Sequence, residues 1–199
     1  MTSPDVATIV YHRINMSPRQ KTTFTYEYTV LGFLSAVPMH AYALHQTIVD
    51  SSLGKIWHIK QSAFYAIVAR MVEAGFIGGF DSDDDGRGKR MLTCTAHGEV
   101  VFHVWCRASV AHARDMRIEF LAKLYFCTLQ GPDAVATLYA NQVLRCNEWL
   151  RQCSTVVSSD PFVHAVQRYR YGQIQATIAW MEEYQPTPYP FILDVTEEV

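Results

Sequence analysis

The fold is constrained most by a series of short elements within Thr29–His97, each bounded by a residue that interrupts regular structure. The apolar segment Val30–Leu34 stops before Pro38, because proline cannot supply the backbone amide that a helix interior needs. This segment predicts a short core helix. Within Ala41–Val49, apolar residues recur at intervals of three and four, which predicts a second helix packed along one face.

A third helix and a β-hairpin follow these two helices. Lys60–Ala74 begins with polar residues and continues with apolar residues at helical spacing. Gly75 is a candidate C-cap, because glycine adopts the left-handed conformation at little cost. Phe76-Ile77 then predicts the first strand of a hairpin, Asp81–Gly86 its loop and Arg87–Thr93 its returning strand. This order of elements is typical of a winged helix-turn-helix domain, in which the hairpin is the wing.

The polar start of the third helix suits the recognition of double-stranded DNA. A helix N-terminus in the major groove would offer Lys60, Gln61 and Ser62 to base edges or phosphates, and its backbone amides also attract anions. Tyr65 lies about one helical turn further along and would reach a phosphate. The third helix is therefore the predicted recognition helix.

The predicted wing adds basic residues, namely Arg87, Lys89 and Arg90, at a different radius from the helix. There they would contact the DNA backbone or the adjacent minor groove. Because the wing loop Asp81–Gly86 is rich in aspartate, an ordinary solvated hairpin is the alternative interpretation. The net charge of the whole chain is -2, so the DNA hypothesis depends on the local distribution of charge.

Four linked segments of this region form a specific pattern. In chain order they are Leu31-Gly32-Phe33-Leu34, Pro38-Met39-His40-Ala41-Tyr42-Ala43-Leu44, Ser62-Ala63-Phe64-Tyr65 and Met71-Val72-Glu73-Ala74-Gly75-Phe76-Ile77. Together they resemble the winged helix of the PadR family of bacterial transcriptional regulators. Ala41 stands where that family usually has glycine, and Ala63 stands where a longer residue is common. The family's aromatic residue in the returning strand is absent from Lys89–Thr93, so the resemblance implies no tyrosine contact there.

The second half of the chain is predicted to be helical. Gly98–Phe126 has one glycine, at its start, and no proline, which predicts a long helix with a broken apolar stripe. Asp133–Cys153 and Pro161–Tyr184 predict two further amphipathic helices. Asp160 is the expected N-cap of the last one, because proline follows it at the first helical position.

The resemblance to the PadR family extends into these helices. Glu119–Phe126 and Tyr171–Trp180 look like the longer, virulence-regulator-like C-terminal half of the family. This likeness implies a homodimer that presents two winged helices to a pseudo-palindromic operator, with half-sites about 34 Å apart or a multiple of that distance. An ordinary intramolecular helical domain is the alternative.

The family resemblance also implies a small aromatic or amphipathic effector. The expected place is a cavity between the winged helix and the dimerisation helices. The candidate lining residues are Trp105, Tyr125, Phe126, Trp149 and Trp180. Aromatic residues on helices are also typical core residues, so ordinary packing is the alternative for each of them.

The expected fold class is mainly α with a small β-hairpin wing. We predict a flexible N-terminal arm over 1–23, a winged helix-turn-helix domain over 24–97, a helical dimerisation domain over 98–184 and an extended tail over 185–199. The arm contains Arg13, Arg19 and Lys21, so it could contact DNA or be a disordered start. At 199 residues and 49% hydrophobic content, the chain can build two cores.

Composition also bears on location and chemistry. No apolar run reaches the ~20 residues of a membrane span and no signal-peptide core is visible, so we expect a cytoplasmic protein. Cys94 and His97 have a ligand-like spacing, but no second pair completes a zinc site, and no catalytic or cofactor motif is visible. We therefore expect no enzyme, metal or cofactor. The alternative function is a winged-helix module that binds a protein partner or a ligand without binding DNA directly.

Overall fold

The chain divides after Cys106 into two units, and the computed structural model describes residues 21–81, 90–155 and 158–184. The predicted tail over 185–199 lies outside the described residues, as do residues 1–20 of the predicted arm. The first helix begins at Lys21, within the last residues assigned to that arm.

Helix α1 (Lys21–Ala36) is the centre of the first unit. Its core positions Val30, Leu31, Phe33 and Leu34 are each at most 2% exposed. With the buried residues Thr25, Tyr28 and Thr29, they cover every side of the helix. Helix α1 is therefore enclosed by its neighbours rather than packed along one stripe. The predicted stop before Pro38 is confirmed, while the helix extends further towards the N-terminus than the apolar run indicated.

Two more helices complete the helix-turn-helix. Helix α2 is Ala41–Asp50, a 3₁₀ turn spans Ser52–Lys55, and helix α3 is Gln61–Glu73. Gly75 follows α3 with φ +77°, which confirms it as the residue that ends the helix in the left-handed region. The Phe76 amide donates to the Met71 carbonyl at 3.0 Å, as in a Schellman cap.

A three-stranded antiparallel sheet lies beside these helices. It consists of β1 (Met39–His40), β2 (Ile77–Asp81) and β3 (Arg90–Cys94), with β3 in the middle. In the hairpin, Ile77 pairs with Cys94 and Asp81 pairs with Arg90. Together with α1–α3, this hairpin confirms the predicted winged helix-turn-helix.

Helix α4 (Ala96–Arg107) belongs to the first unit up to Cys106, although the sequence predicted it as the start of the second domain. Thr95 begins it, because its hydroxyl accepts from the Gly98 amide at 3.1 Å. Trp105 is 2% exposed and stacks on Tyr28 of α1, with ring centroids 4.6 Å apart. These contacts close the core of the first unit.

The second unit is built from α5 (Glu119–Gln130), α6 (Pro132–Thr155) and α7 (Pro161–Glu183), with a 3₁₀ turn at Ala113–Arg117. The two predicted C-terminal helices are confirmed as α6 and α7. Asp160 caps α7, accepting from the Phe162 amide at 2.8 Å. No helix within the described residues is both long and apolar enough to span a bilayer.

The prediction of one continuous helix over Gly98–Phe126 was wrong, since the chain leaves helical conformation after Arg107 and resumes it at Glu119. Side chains from α5 and α6 satisfy the backbone groups that the break exposes. The three hydrogen bonds are Asn141 Nδ2 to Arg107 O at 2.7 Å, Lys123 Nζ to Ala108 O at 2.9 Å and Val110 N to Gln142 Oε1 at 2.8 Å. The free energy of these three hydrogen bonds outweighs the preference of the residues between α4 and α5 for helical conformation.

Candidate nucleic-acid interface

Helix α3 buries one face and exposes the other. The buried face consists of Phe64, Ile67, Val68 and Met71. The predicted contact residues lie outside this buried face: Lys60, Gln61 and Ser62 are exposed, and Tyr65 is 40% exposed. The structure thus brings these four predicted residues together at one end of one helix.

The segment that leads into α3 is held by the core. Ile59 is buried, and His45 Nε2 donates to the Ile59 carbonyl at 3.3 Å, which requires the proton on Nε2. Trp57 packs edge-on against Tyr26 of α1, with ring centroids 5.5 Å apart. The start of α3 is therefore fixed in place by α1 and α2.

The first turn of α3 is suited to an anion. Lys60 is the N-cap, with extended backbone, and its side chain makes no capping hydrogen bond. The first amides of a helix point outward and carry the positive end of the helix dipole. Phosphate is the natural ligand for such a terminus when basic side chains adjoin it.

The exposed face of α3 also carries small side chains. Ala63, Ala66 and Ala69 are exposed beside Gln61 and Tyr65. Small side chains let a helix approach closely, so this face could enter a major groove about 12 Å wide. Ala63, which departs from the family pattern, is part of this face.

Charge around α3 differs from the charge of the whole chain. Residues 51–72 contain Lys55, Lys60 and Arg70 and no aspartate or glutamate, whereas the full chain has a net charge of -2. The N-terminal end of α3 is therefore basic, as phosphate binding requires, whereas the helix ends at the exposed Glu73.

The wing is described only in part. Arg90 is exposed at the start of β3, and its side chain lies over Gly79 of β2. His40 Nδ1 donates to the Arg90 carbonyl at 3.2 Å, which ties β1 to the base of the wing. Arg87 and Lys89 lie outside the described residues.

Two exposed residues of the first unit were missed as candidates. Tyr42 is 59% exposed in the first turn of α2, and Lys55 is exposed in the 3₁₀ turn before α3. Tyr42 could have been recognised from the sequence, because it is a large aromatic residue that lies off the apolar stripe of α2. The only sequence property that points to Lys55 is its charge, and charge does not distinguish it from other surface lysines.

An ion pair links α1 to α3. Arg70 Nη2 lies 3.3 Å from Glu27 Oε1. Burial raises the pKa of Glu27, and the hydrogen bond and charge of Arg70 lower it only in part. The folded state therefore holds the Glu27 proton more tightly than the unfolded chain does.

This raised pKa predicts a pH dependence of stability. The contribution of Glu27 is fully present below the unfolded pKa and is lost as pH rises through the higher folded pKa. We expect Glu27→Gln to remove that loss, so that the variant gains stability relative to the parent as pH rises above the ordinary glutamate pKa of 4.5. Urea unfolding across this range measures the effect. Glu73→Gln, which removes an exposed carboxylate, serves as the control, and an identical gain in both variants would contradict the assignment.

The aromatic residues predicted to line an effector cavity are dispersed. Trp105 is in the core of the first unit, whereas Tyr125 and Phe126 pack edge-on on α5. Trp180 is 37% exposed and stacks on Tyr184. Trp149 lines a groove in the second unit.

The residues considered for zinc have other contacts. His97 stacks on Phe76 with centroids 5.0 Å apart, and the Cys94 thiol donates weakly to the Phe76 carbonyl. Within the described part of the chain, no group of three or more histidine, cysteine, aspartate or glutamate residues is placed to hold a metal ion.

Comparison with known proteins supports the resemblance found in the sequence. No family model matches the chain. The protein named "Negative transcriptional regulator PadR" from Bacillus subtilis (strain 168) is 25% identical over 119 residues, which are 59% of this chain and 64% of that protein. The match therefore spans less than two thirds of the relative's length.

Solved structures similar to the chain include Bacillus subtilis PadR in complex with operator DNA and smu.1604c from Streptococcus mutans UA159. The first has a TM-score of 0.41 and 21% identity, covering 79% of this chain and 95% of that chain. The second has a TM-score of 0.38 and 20% identity, covering 79% and 96%. In its sequence and in the ordered motifs of its winged helix, the chain is therefore similar to PadR.

Proposed function

We propose that this protein is a dimeric, sequence-specific DNA-binding transcriptional regulator that acts as a repressor and responds to a small ligand. The observation that carries the proposal is the exposed, basic N-terminal end of α3, where Lys60, Gln61, Ser62 and Tyr65 share one surface. The name of the Bacillus subtilis relative, a negative regulator, supports repression. The protein would act in the cytoplasm and would carry out no catalysis.

The division of roles follows from geometry. Gln61 and Ser62 would read base edges in the major groove, because amide and hydroxyl groups match their donor and acceptor pattern. Lys60 and Tyr65 would bind phosphates on either side of the major groove. Arg90, with Arg87 and Lys89, would hold the backbone through the wing, which positions the domain without specifying sequence.

Dimerisation is supported by apolar surface on the second unit. Leu144 on α6 is 65% exposed, and Tyr171, Trp180 and Tyr184 at α7 or its end are each more than a third exposed. Large apolar side chains of this kind typically mark a protein interface. A two-fold dimer would present two α3 helices to successive major grooves of a pseudo-palindromic operator.

The proposal predicts different effects for helix and wing variants. Gln61→Ala should change sequence preference at one base position of each half-site, at a cost of about 1–3 kcal/mol for the preferred base. Arg90→Ala should weaken all sequences nearly equally and reduce the salt slope by about 0.9 for each phosphate that the variant no longer neutralises. Selection of bound duplexes from genomic fragments, followed by fluorescence anisotropy of the winners across a salt series, measures both effects.

Arg168→Ala is the matched control, because it removes an exposed arginine of the second unit that does not line the surface groove shared by Leu144 and Tyr171. It should leave affinity and salt slope unchanged. Sedimentation of the free protein and of the complex tests for a dimer on one operator. If no duplex is enriched, the alternative of a partner-binding module is favoured. If Gln61→Ala and Arg90→Ala act equally on every sequence, the assigned roles are wrong.

A further inference from the structure

A groove of about 1230 Å³ opens in the second unit between the 3₁₀ turn Ala113–Arg117, α6 and α7. Its floor is apolar and buried, formed by Cys146, Trp149 and Ile174. Val163 and Val166 of α7 are half-buried along one wall. The groove is large enough for a small organic ligand, since typical ligand pockets measure roughly 300–1,000 Å³.

The groove exists because α7 packs on its own unit at only one end. No residue over 161–173 is buried, whereas Ile174 and Met181 in the later part of the helix are. The first half of α7 therefore leaves the Trp149 side of α6 partly uncovered. Apolar surface left open in this way is favourable to cover.

The charge of the groove is one-sided. Arg114, Arg117 and Arg170 line it, and no aspartate or glutamate does. Arg114 pairs loosely with Asp115, at 3.7 Å. Arg117 and Arg170 have no acidic partner in the part of the chain that the structure describes. Arginine is well suited to bind carboxylate or phosphate through two parallel hydrogen bonds.

These charges favour an anion over a second copy of the chain. A two-fold interface places the same surface on both subunits. An interface centred on this groove would bring the arginines of two subunits together, which is unfavourable at short range. An organic anion instead neutralises them and covers the apolar floor.

We propose that this groove binds a small amphipathic anion. Its carboxylate lies on Arg117 and Arg170, and its apolar body lies on Trp149 and Ile174. The site differs from the cavity expected at the sequence level, since Trp149 is the one residue that the two sets share. The role of this groove as an effector site rests on the proposed function. Binding of the anion itself can be measured without DNA.

Calorimetry with decanoate, below its micelle concentration, tests the proposal on the free protein. Decanoate should bind, and the uncharged decan-1-ol should bind at least about tenfold more weakly, because it has no negative charge to form an ion pair with arginine. Arg117→Gln and Arg170→Gln should each weaken decanoate about tenfold. Arg168→Gln, an exposed arginine of α7 that does not line the groove, should have no effect.

Alkylation of cysteine locates the bound anion. Cys153 lines the groove and is half-buried, whereas Cys94 is half-buried in the first unit and serves as the internal control. Decanoate should slow the reaction of Cys153 with N-ethylmaleimide and leave Cys94 unchanged. The proposal would be overturned if decanoate did not bind, or if it bound equally to all the arginine variants. It would also be overturned if Arg170→Gln formed a tighter dimer and the protein did not bind decanoate. Failure of operator binding would leave these results unaffected, so the two proposals fail separately.

Discussion

Lys123→Ala should lower the free energy of unfolding of the second unit by about 3–5 kcal/mol. Lys123 is fully buried on α5, where its Nζ donates to the Ala108 carbonyl and lies 2.9 Å from Glu119 Oε1. Alanine would leave a cavity and remove a donor from the Ala108 carbonyl, at the point where the chain leaves helical conformation. It would also leave the largely buried Glu119 carboxylate without this cation. Hydrogen exchange of α5 and α6 amides reports the stability of this unit separately from the first.

Lys123→Met separates packing from charge. Methionine fills most of the space of the lysine stem, so this variant should lose less stability than Lys123→Ala. The double variant Glu119→Gln with Lys123→Met should recover part of the remaining loss, because both charges of this ion pair are then removed together. A loss below about 1 kcal/mol for Lys123→Ala would mean that the buried lysine contributes little net stability.

Gly98→Val should lower the free energy of unfolding of the first unit by about 3 kcal/mol. A Cβ at Gly98 would lie 2.3 Å from the Phe76 carbonyl oxygen and 2.8 Å from the Cys94 Sγ atom. The carbonyl has little room to move, because it accepts hydrogen bonds from the Thr95 amide and hydroxyl, each at 3.1 Å. Helix α4 would therefore have to shift away from the end of α3 and from β3. Hydrogen exchange of α1 and α4 amides measures the loss.

Gly172→Ala is the matched control for this prediction. Gly172 lies in the middle of α7, and nothing lies within 4 Å of the Cβ that alanine would add. Alanine there should raise stability by up to about 1 kcal/mol, since glycine is the poorer helix former. If Gly98→Ala stabilises the protein to the same extent as Gly172→Ala, close approach is not the reason for glycine at position 98.

The winged helix could be predicted because each of its boundaries has a local chemical cause. Pro38 ends α1, the apolar spacing of α2 and α3 defines their buried faces, and Gly75 ends α3 in the left-handed region. These signals act over a few residues, so no knowledge of tertiary contacts is needed to recognise them. The exposed side of α3 followed directly, because it is the face opposite the apolar stripe.

The surroundings of the candidate site could be predicted less well. Trp57 and Ile59 position the start of α3 through contacts with Tyr26 and His45, residues 31 and 14 positions earlier in the chain. Nothing in local spacing indicates such pairs.

In the second half of the chain, the sequence by itself determined that the segments are helical and amphipathic, because helix propensity and apolar spacing are properties of neighbouring residues. Only the tertiary structure decided that Gly98–Phe126 is broken. Asn141, Lys123 and Gln142 bind the backbone of residues 107–110 across separations of 15 to 34 positions. The groove beside α7 has the same kind of origin, since it depends on which half of a helix finds a packing partner. Long-range contacts of this kind satisfy buried polar groups and cover apolar faces, and their free energy decides between conformations that local preference leaves close in energy.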